Sequence, residues 1–310
     1  VRELITDRSS EGVFGDVMLL EKLAYSLRKR GLGVQESLRL AYVALLILLV
    51  VLTALPWTYL LAFSTRSLAK FHVQLVLRSL VYFAVIFLLV SVLAVVEWFA
   101  SRALKARELG VSEAWLWSII RELEEVTGAG KLRVRLVEED APRAFLLLDD
   151  VVVSKGLIRA LSAEEIKAVL AHELGHRYLA PLRALRRVLT FAVFFNASTI
   201  LALSLDTNAY YGSLSLPVFS ASTVLCFITI LSLSRIEEHL VDIYSVKVTK
   251  STALASALSK LERGLAINPP RSLVKPLLMM KGISYPPIKT RINVIAEFHR
   301  ELSTENKSNS

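Results

Sequence analysis

Five consecutive residues carry the most explicit chemistry in this chain: His172-Glu173-Leu174-Gly175-His176, an H-E-x-x-H pattern. On an α-helix, positions four apart lie one above the other on one face. Two imidazoles so placed can hold one Zn²⁺, and the glutamate between them can take a proton from a water on the metal. The flanking sequence favours a helix. Ser162 and Glu165 have capping-box spacing, Ala163 and the run Ala168-Val169-Leu170-Ala171 suit a buried helix, and no proline intervenes before Pro181. With only 5 histidines in the chain, two at ligand spacing around a glutamate form a specific signal. The competing explanation is an amphipathic helix with two hydrogen-bonded histidines.

A catalytic zinc takes three protein ligands and keeps one position open. Candidates for the third lie downstream, in the stretch SRIEEHLVD: Glu237, Glu238, His239 and Asp242. Glu238 and Asp242 are four apart and share a helix face. With Glu238 on the metal, Asp242 could accept a hydrogen bond from a ligand histidine. Taken alone, the cluster also fits a charged helix emerging from a membrane.

The elements that position these residues are largely apolar. An apolar fraction of 54% and a mean hydropathy of +0.51 exceed the roughly 45–50% apolar content of soluble domains. The excess sits in runs at residues 40–65, 79–96, 188–205 and 207–234, long enough to read as about four transmembrane helices. Pro56 falls inside the first run, and Thr207, Asn208, Gly212 and Ser213 read as the turn before the fourth. The net charge of +9 comes from Lys and Arg clustered at the run ends, which suits a lipid bilayer as partner and no nucleic acid. Cys226 is the single cysteine, so neither an internal disulfide nor a Cys-rich zinc site is available. The first 38 residues are mixed and charged and do not read as a cleavable signal peptide.

Lys22, Arg28, Lys29, Arg30, Arg39, Arg102, Lys105, Arg107, Arg183, Arg186 and Arg187 place the N-terminus and the H-E-x-x-H segment in the cytosol, whereas the linker between runs three and four lacks Lys and Arg. Arg66, Lys70 and Arg78, in a loop expected outside, run against this pattern. Two crossings separate His176 from Glu238, so the chain returns to the side it left and the ligands can meet near the membrane surface. The resulting layout is an N-terminal cytosolic segment at 1–39, a first transmembrane hairpin at 40–101, a first catalytic part at 102–187, a second hairpin at 188–234, a second catalytic part at 235–302 and a disordered tail at 303–310.

Within the first catalytic part, 111–126 reads as a helix with Ser112 as N-cap and Gly128 and Gly130 at its end. Residues 131–137 alternate as a strand, and 143–148 and 151–154 read as a hairpin turning at Asp149-Asp150. After run four, 235–248 continues as helix, 251–265 is another, stopped by Pro269 and Pro270, and Tyr285-Pro286-Pro287 opens a last one with Ile288, Ile292, Ile295 and Phe298 on one face.

With these elements in place, the chain resembles the HtpX-type integral-membrane zinc metalloproteases, a family related to the CAAX prenyl protease. VLAHELGHR is similar to the family's zinc helix, SRIEEHLVD to its S-R-x-x-E-x-x-A-D element, RAFLLLDDVVVSKGLIRALSAEE to its N-A-F-A strand, hairpin and leading helix, and SYPPIKTRI to its T-H-P-P…R-I element. The resemblance implies a mainly α membrane protein with a cytosolic α+β zincin-like (gluzincin) catalytic domain. It implies one zinc per chain on His172, His176 and Glu238, Asp242 behind the ligands, and Glu173 as general base. Arg291 is the first candidate to stabilise the oxyanion, then Tyr285 or His239. Arg143, Ala144, Phe145 and Leu146 form the strand on which a polypeptide substrate would add as a further strand. The chain departs from the family pattern at Arg143 (usually Asn), Leu146 (usually small), Tyr285 (usually His), Glu237 and His239 (commonly Arg and Tyr) and Val241 (Ala).

The resulting expectation is a multi-pass cell-membrane endopeptidase acting on membrane or misfolded proteins in quality control. Alternatives are a prenylated-peptide protease, which shares the motifs, and a non-catalytic membrane scaffold. An intramembrane protease fits less well, since Glu164, Glu165, Lys167 and Arg177 flank the motif.

Overall fold

Between residues 40 and 62 nearly every position is apolar, and a helix is the backbone that satisfies its own polar groups there. In the computed structural model, which describes residues 33–62, 73–85, 87–88, 106–110, 113–128, 131–147, 150–204, 209–267 and 285–308, this stretch forms α1 (Val34–Ala62), running on through Pro56. One stripe of α1, with Val34, Leu38, Ala41, Tyr42, Leu45 and Leu49, is buried, while Leu40, Val43, Ile47, Val50 and Val51 stand exposed. The helix starts at Val34, ahead of the apolar run, because the Glu301 carboxylate accepts hydrogen bonds from Val34 N at 3.0 and 3.2 Å. The expected N-terminal segment therefore loses 34–39 to α1, and residues 1–32 lie outside the described residues. A shorter apolar helix follows, α2 (Val73–Val85), which takes in Arg78; the rest of the second apolar run, 89–96, also lies outside them.

The sheet comes next. β1 (Ala106–Glu108) leads to α3 (Ala114–Thr127), whose N-cap is Glu113, while Ser112 falls outside the described residues. Gly128 ends α3 in the left-handed region, at φ +61°, which glycine adopts without steric cost. β2 (Arg133–Val137), β3 (Ala144–Leu147) and β4 (Asp150–Ser154) complete a four-stranded sheet in the order β1-β2-β4-β3. β2 and β4 are parallel, with Arg133 opposite Asp150. The expected hairpin pairs Ala144 with Val153 and leaves β3 at the edge. Ser154 closes it: its Oγ accepts from Arg143 N and Leu157 N and donates to Ala141 O, capping the short α4 (Lys155–Ala160).

α5 (Ala163–Tyr178) carries H-E-x-x-H. α6 (Ala180–Ser204) and α7 (Ala209–Thr249) follow, then α8 (Ala253–Ile267) and α9 (Ile288–Ser308). Among the described residues three helices are long and apolar enough to cross a membrane: α1 over Val34–Tyr59, α6, and α7 over Ser215–Thr249. Polar groups tie them together. Trp57 Nε1 donates to Asn196 Oδ1 at 2.8 Å, Asn196 Nδ2 to Thr53 O at 3.3 Å, and Ser222 Oγ to Leu52 O. Asn196 and Ser222 thus bond between helices, whereas Ser198, Thr199, Ser204, Thr229 and Ser232 donate to a carbonyl four residues earlier in their own helix.

Two expectations are corrected. Gly212 and Ser213 belong to α7, not to a turn, and the span continues without a break into the segment that holds Glu238 and Asp242. The tail expected to be disordered is helical through Ser308: the Ser303 and Thr304 hydroxyls bond back to His299 O and Glu301 O, and Glu301 anchors this end of α9 to α1. The main core joins the inner face of the sheet (Val134, Leu136, Val151, Val153) to Leu116, Ile120 and Leu123 of α3, to α5, and to Ile236, Ile243 and Val246 of α7.

Candidate active site

The capping box of α5 forms as its sequence specifies: Ser162 Oγ accepts from Glu165 N at 3.4 Å, and Glu165 Oε2 from Ser162 N at 2.8 Å. Two donors of α8, Ser256 Oγ (2.6 Å) and Lys260 Nζ (2.7 Å), also bond Glu165. Burial pushes this carboxyl up, but the donors outweigh it and bring its pKa down to about 2. The N-terminal half of α5 is thereby fixed against α8.

Residues 168–175 of α5 are all buried. Gly175 lies where α5 meets α7: a Cβ there would stand 2.8 Å from Val241 Cγ1 and 3.3 Å from Val241 Cα. Glycine permits this approach because it has no side chain. Just across the contact, on successive turns of α7, are Glu238 and Asp242. His172 Nε2 lies 3.7 Å from Glu238 Oε2, and His176 Nε2 3.7 Å from Glu238 Oε1. The three residues' ligand atoms all fall within 4.8 Å of one another, and the two rings meet edge to face with centroids 5.0 Å apart.

These separations are too long for hydrogen bonds. They are close to the roughly 3.4 Å that a tetrahedral ion with bonds of about 2.1 Å sets between its ligand atoms. Glu238 Oε2 is buried and accepts no hydrogen bond among the described residues; Arg291 Nη2 stands 3.6 Å away. A carboxylate oxygen in that state is costly without a cation beside it. His172, His176 and Glu238 can therefore hold a metal ion.

Behind them, Asp242 is fully buried, with Oδ1 3.0 Å from His172 Nδ1. Arg291 of α9 donates to both of its oxygens, from Nε at 2.8 Å and Nη2 at 2.6 Å. That fork fixes the carboxylate, and the carboxylate sets the His172 ring with Nε2 toward Glu238. Burial opposes protonation of His172, but Asp242 outweighs it and raises the ring's pKa. Burial, then the charges of His172 and Arg183, depress His176 to about 3. Glu173 is pushed up, first by burial, with Glu238 adding to the shift and His172 opposing it.

A cleft of about 560 Å³ opens over these residues. Ala144 and Phe145 of edge strand β3 line it. Arg143 lies just outside the strand, its Nη1 3.3 Å from Glu139 Oε1, and Leu146 lies within β3. Tyr285, immediately before the two prolines that open α9, also lines the cleft, and its hydroxyl is pushed up to about 12 by burial and by the carboxylates of Glu238 and Glu173.

One expected site residue is placed elsewhere. His239 is 2% exposed and is not among the cleft-lining residues, because neighbours on a helix point about 100° apart and Glu238 takes the cleft-facing position. Arg291 reaches the cleft, and its Nε and Nη2 are bonded to Asp242, so it also positions that carboxylate. Glu237, one of the four candidate ligands, turns to Arg186 Nη2 (3.0 Å) and Arg183 Nε (3.4 Å) instead of the histidines. Sequence reasoning missed this cluster, having used both arginines only as markers of topology. It also missed Gly175, whose signal was a glycine kept inside a buried helix.

Residues 111–299 match the family model described as peptidase family M48. Protease HtpX of Idiomarina loihiensis is 28% identical over 234 residues, covering 65% of this chain and 79% of that protein. The Protease HtpX homolog of Persephonella marina is 27% identical over 244 residues, 67% of this chain and 84% of that one. The homolog of Tropheryma whipplei strain TW08/27 is 32% identical over 205 residues, 58% and 69%. Among solved structures, S. mikatae Ste24p aligns with a TM-score of 0.45 and 17% identity over 77% of this chain and 66% of that chain. The chain belongs to peptidase family M48, as an HtpX-type membrane metalloprotease.

Proposed function

We propose that the protein is a zinc endopeptidase that cleaves membrane or misfolded polypeptides on the cytosolic side of the cell membrane, as a quality-control activity. The observation that carries this reading is the convergence of both Nε2 atoms on the two oxygens of Glu238, each at 3.7 Å, beside the buried Glu173 and beneath an edge strand. A His₂Glu donor set suits zinc and leaves a position for water. Bound there, zinc supplies a water of lowered pKa and a Lewis acid for the scissile carbonyl.

The chain's own residues do the rest. The Glu173 carboxylate, its proton affinity raised by burial, accepts a proton from the attacking water and delivers it to the leaving amine nitrogen. Asp242 holds the Nδ1–H of His172, and Arg291 holds Asp242. The Tyr285 hydroxyl, still protonated at neutral pH, donates to the oxyanion that develops on the carbonyl. The substrate backbone pairs with β3 through main-chain hydrogen bonds, which read little sequence and suit varied polypeptides. The Lys and Arg pattern supports the cytosolic orientation and the fourth span.

Detergent-purified protein should carry one zinc per chain and cleave casein, and a chelator should abolish both. Glu173→Gln should keep the zinc and lose hydrolysis. A metal-free protein, or a Glu173→Gln variant within tenfold of wild type, would overturn the assignment.

A further inference from the structure

The cleft is polar at one end only. α8 packs on the N-terminal half of α5 through Ser256 and Lys260, and there the cleft wall is Val169, Leu254, Leu258 and Leu261. At the other end Arg183 Nη2 donates to His176 O, so the wall beyond the second histidine is the first turns of α6, where that helix begins its apolar span. Arg183, Arg186, Ser234 and Glu237 line it. The Glu237 side chain is 5% exposed and lies behind the two guanidiniums, which are 20% and 21% exposed. Arg186 Nη1 also donates to Ser234 Oγ at 3.1 Å.

At this wall two guanidinium charges meet one carboxylate, that of Glu237, while Glu173 and Glu238 line the cleft beside the histidines. The hydrogen bonds from Arg183 Nη2 to His176 O and from Arg186 Nη1 to Ser234 Oγ fix the two guanidiniums, and each group carries five N–H donors, more than these contacts use. The Glu237 carboxylate holds the two arginines together. An oriented arginine pair in a partly desolvated cleft is a carboxylate site.

We propose that Arg183 and Arg186 form a specificity subsite that binds a carboxylate of the bound peptide, at the membrane-side end of the cleft, while Leu254, Leu258 and Leu261 accept an apolar side chain at the other end. The proposal rests on the peptidase reading above and deepens it. The preferred substrate has an apolar residue on one side of the scissile bond and an acidic side chain or free C-terminal carboxylate on the other.

The test uses full-length, zinc-loaded protein in neutral detergent and fluorogenic peptides made in pairs. Each pair differs by Asp against Asn at one position within three residues of the scissile bond, or by a C-terminal acid against an amide. The acidic member should be preferred by about tenfold or more in kcat/KM at one position, as a charge-assisted hydrogen bond predicts. The position shows whether side chain or terminus is read. In Arg186→Gln, where Glu237 keeps Arg183 as partner, the ratio should fall toward one; Arg186→Lys should keep part of it. Equal cleavage of all pairs, or an undiminished ratio in Arg186→Gln, would overturn the subsite. If Arg186→Gln does not fold, the wild-type ratio and the Arg186→Lys ratio still decide. Loss of the preference on adding phosphatidylglycerol to the micelles would assign the charge to lipid phosphate and also overturn it. Anisotropy of labelled acid and amide peptides on Glu173→Gln reads binding without hydrolysis. Tighter binding of the acid there, with no cleavage by wild type, would sink the peptidase reading and keep the subsite.

Discussion

Gly175→Ala tests whether the contact between α5 and α7 sets the site. The added methyl would meet Val241 Cγ1 at 2.8 Å, Tyr244 Cδ1 at 3.2 Å and Val241 Cα at 3.3 Å. Carbon atoms in good contact stand about 3.5–4.0 Å apart, so the shortfall at Cγ1 is about 0.7 Å or more. Val241 is fully buried, and a valine in a helix has one strongly preferred rotamer, so it cannot turn away cheaply. The helices must separate instead. Alanine gains about 0.5–1 kcal/mol over glycine in a helix interior, against about 1–3 kcal/mol for overpacking, so the net loss of stability should be on the order of 1 kcal/mol. The larger effect is on geometry. Glu238 lies one turn before Val241 and Asp242 directly after it, so both move away from His172 and His176. A displacement near 1 Å costs on the order of 100-fold when reacting groups are misplaced; here kcat/KM should fall about 10- to 100-fold, with less zinc per chain. Peptide cleavage, metal content and a thermal melt measure the three quantities. Adding Val241→Ala removes the closest atom and should recover most of the activity. If Gly175→Ala keeps wild-type zinc and cleaves within threefold of wild type, the close approach does not hold the ligands in register.

Three further outcomes follow from the site. Asp242→Asn should lower zinc affinity or activity about 10- to 100-fold, and Asp242→Asn with Arg291→Gln should melt higher than Asp242→Asn alone, because the single change strands a buried guanidinium; equal melting temperatures would argue against the coupling. Glu238→Ala should lose zinc while Glu237→Ala keeps it, since Glu237 faces the arginines; the reverse result would exchange their roles. The Glu165 carboxyl, depressed to about 2 when folded against about 4.3 unfolded, adds stability that is complete above pH 4.3 and is lost as pH falls toward 2. The melting advantage of wild type over Glu165→Gln, about 1 kcal/mol because Lys260 is 40% exposed, should shrink across that window, and a pH-independent difference would refute the ionic contribution.

The parts that were legible in the sequence are the parts fixed by short spacing. The capping box and the two histidines form where their spacing puts them, and the β3–β4 hairpin forms with Asp150, expected in the turn, as the first residue of β4, paired with Leu147. Glu238 could be separated from Glu237 and His239 only by rotational phase on a helix, which the sequence supplies once that helix is placed. What was not legible joins distant residues. Glu301 caps Val34, Arg183 and Arg186 face Glu237, and Gly175 makes room for Val241; none of these leaves a mark within one window of sequence. Local signals also misled in the opposite direction. Gly212 and Ser213 are turn formers, and the last residues are polar, yet both stretches are helical, because a long helix set against others tolerates residues that would end an isolated one.

The continuity of α7 has a mechanical consequence. From Ser215, where its apolar span begins, to Glu238 the helix rises about 34 Å at 1.5 Å per residue, slightly more than the roughly 30 Å hydrocarbon core of a bilayer. Exposed Val224, Leu225 and Phe227 give this stretch an apolar outer face, and the ion cluster at Glu237 follows it on the same helix. If Ser215 begins the crossing, Glu238, the proposed metal ligand, falls near the far membrane surface, with no loop between it and the span. Since α5 is clamped to α7 at Gly175 and to α8 at Glu165, a tilt or rotation of α7 is transmitted to Glu238 and Asp242 directly, while His172 and His176 are held by a second helix. The proposed ligand set is thus divided between α5 and the long apolar α7, so its geometry is a joint property of both helices.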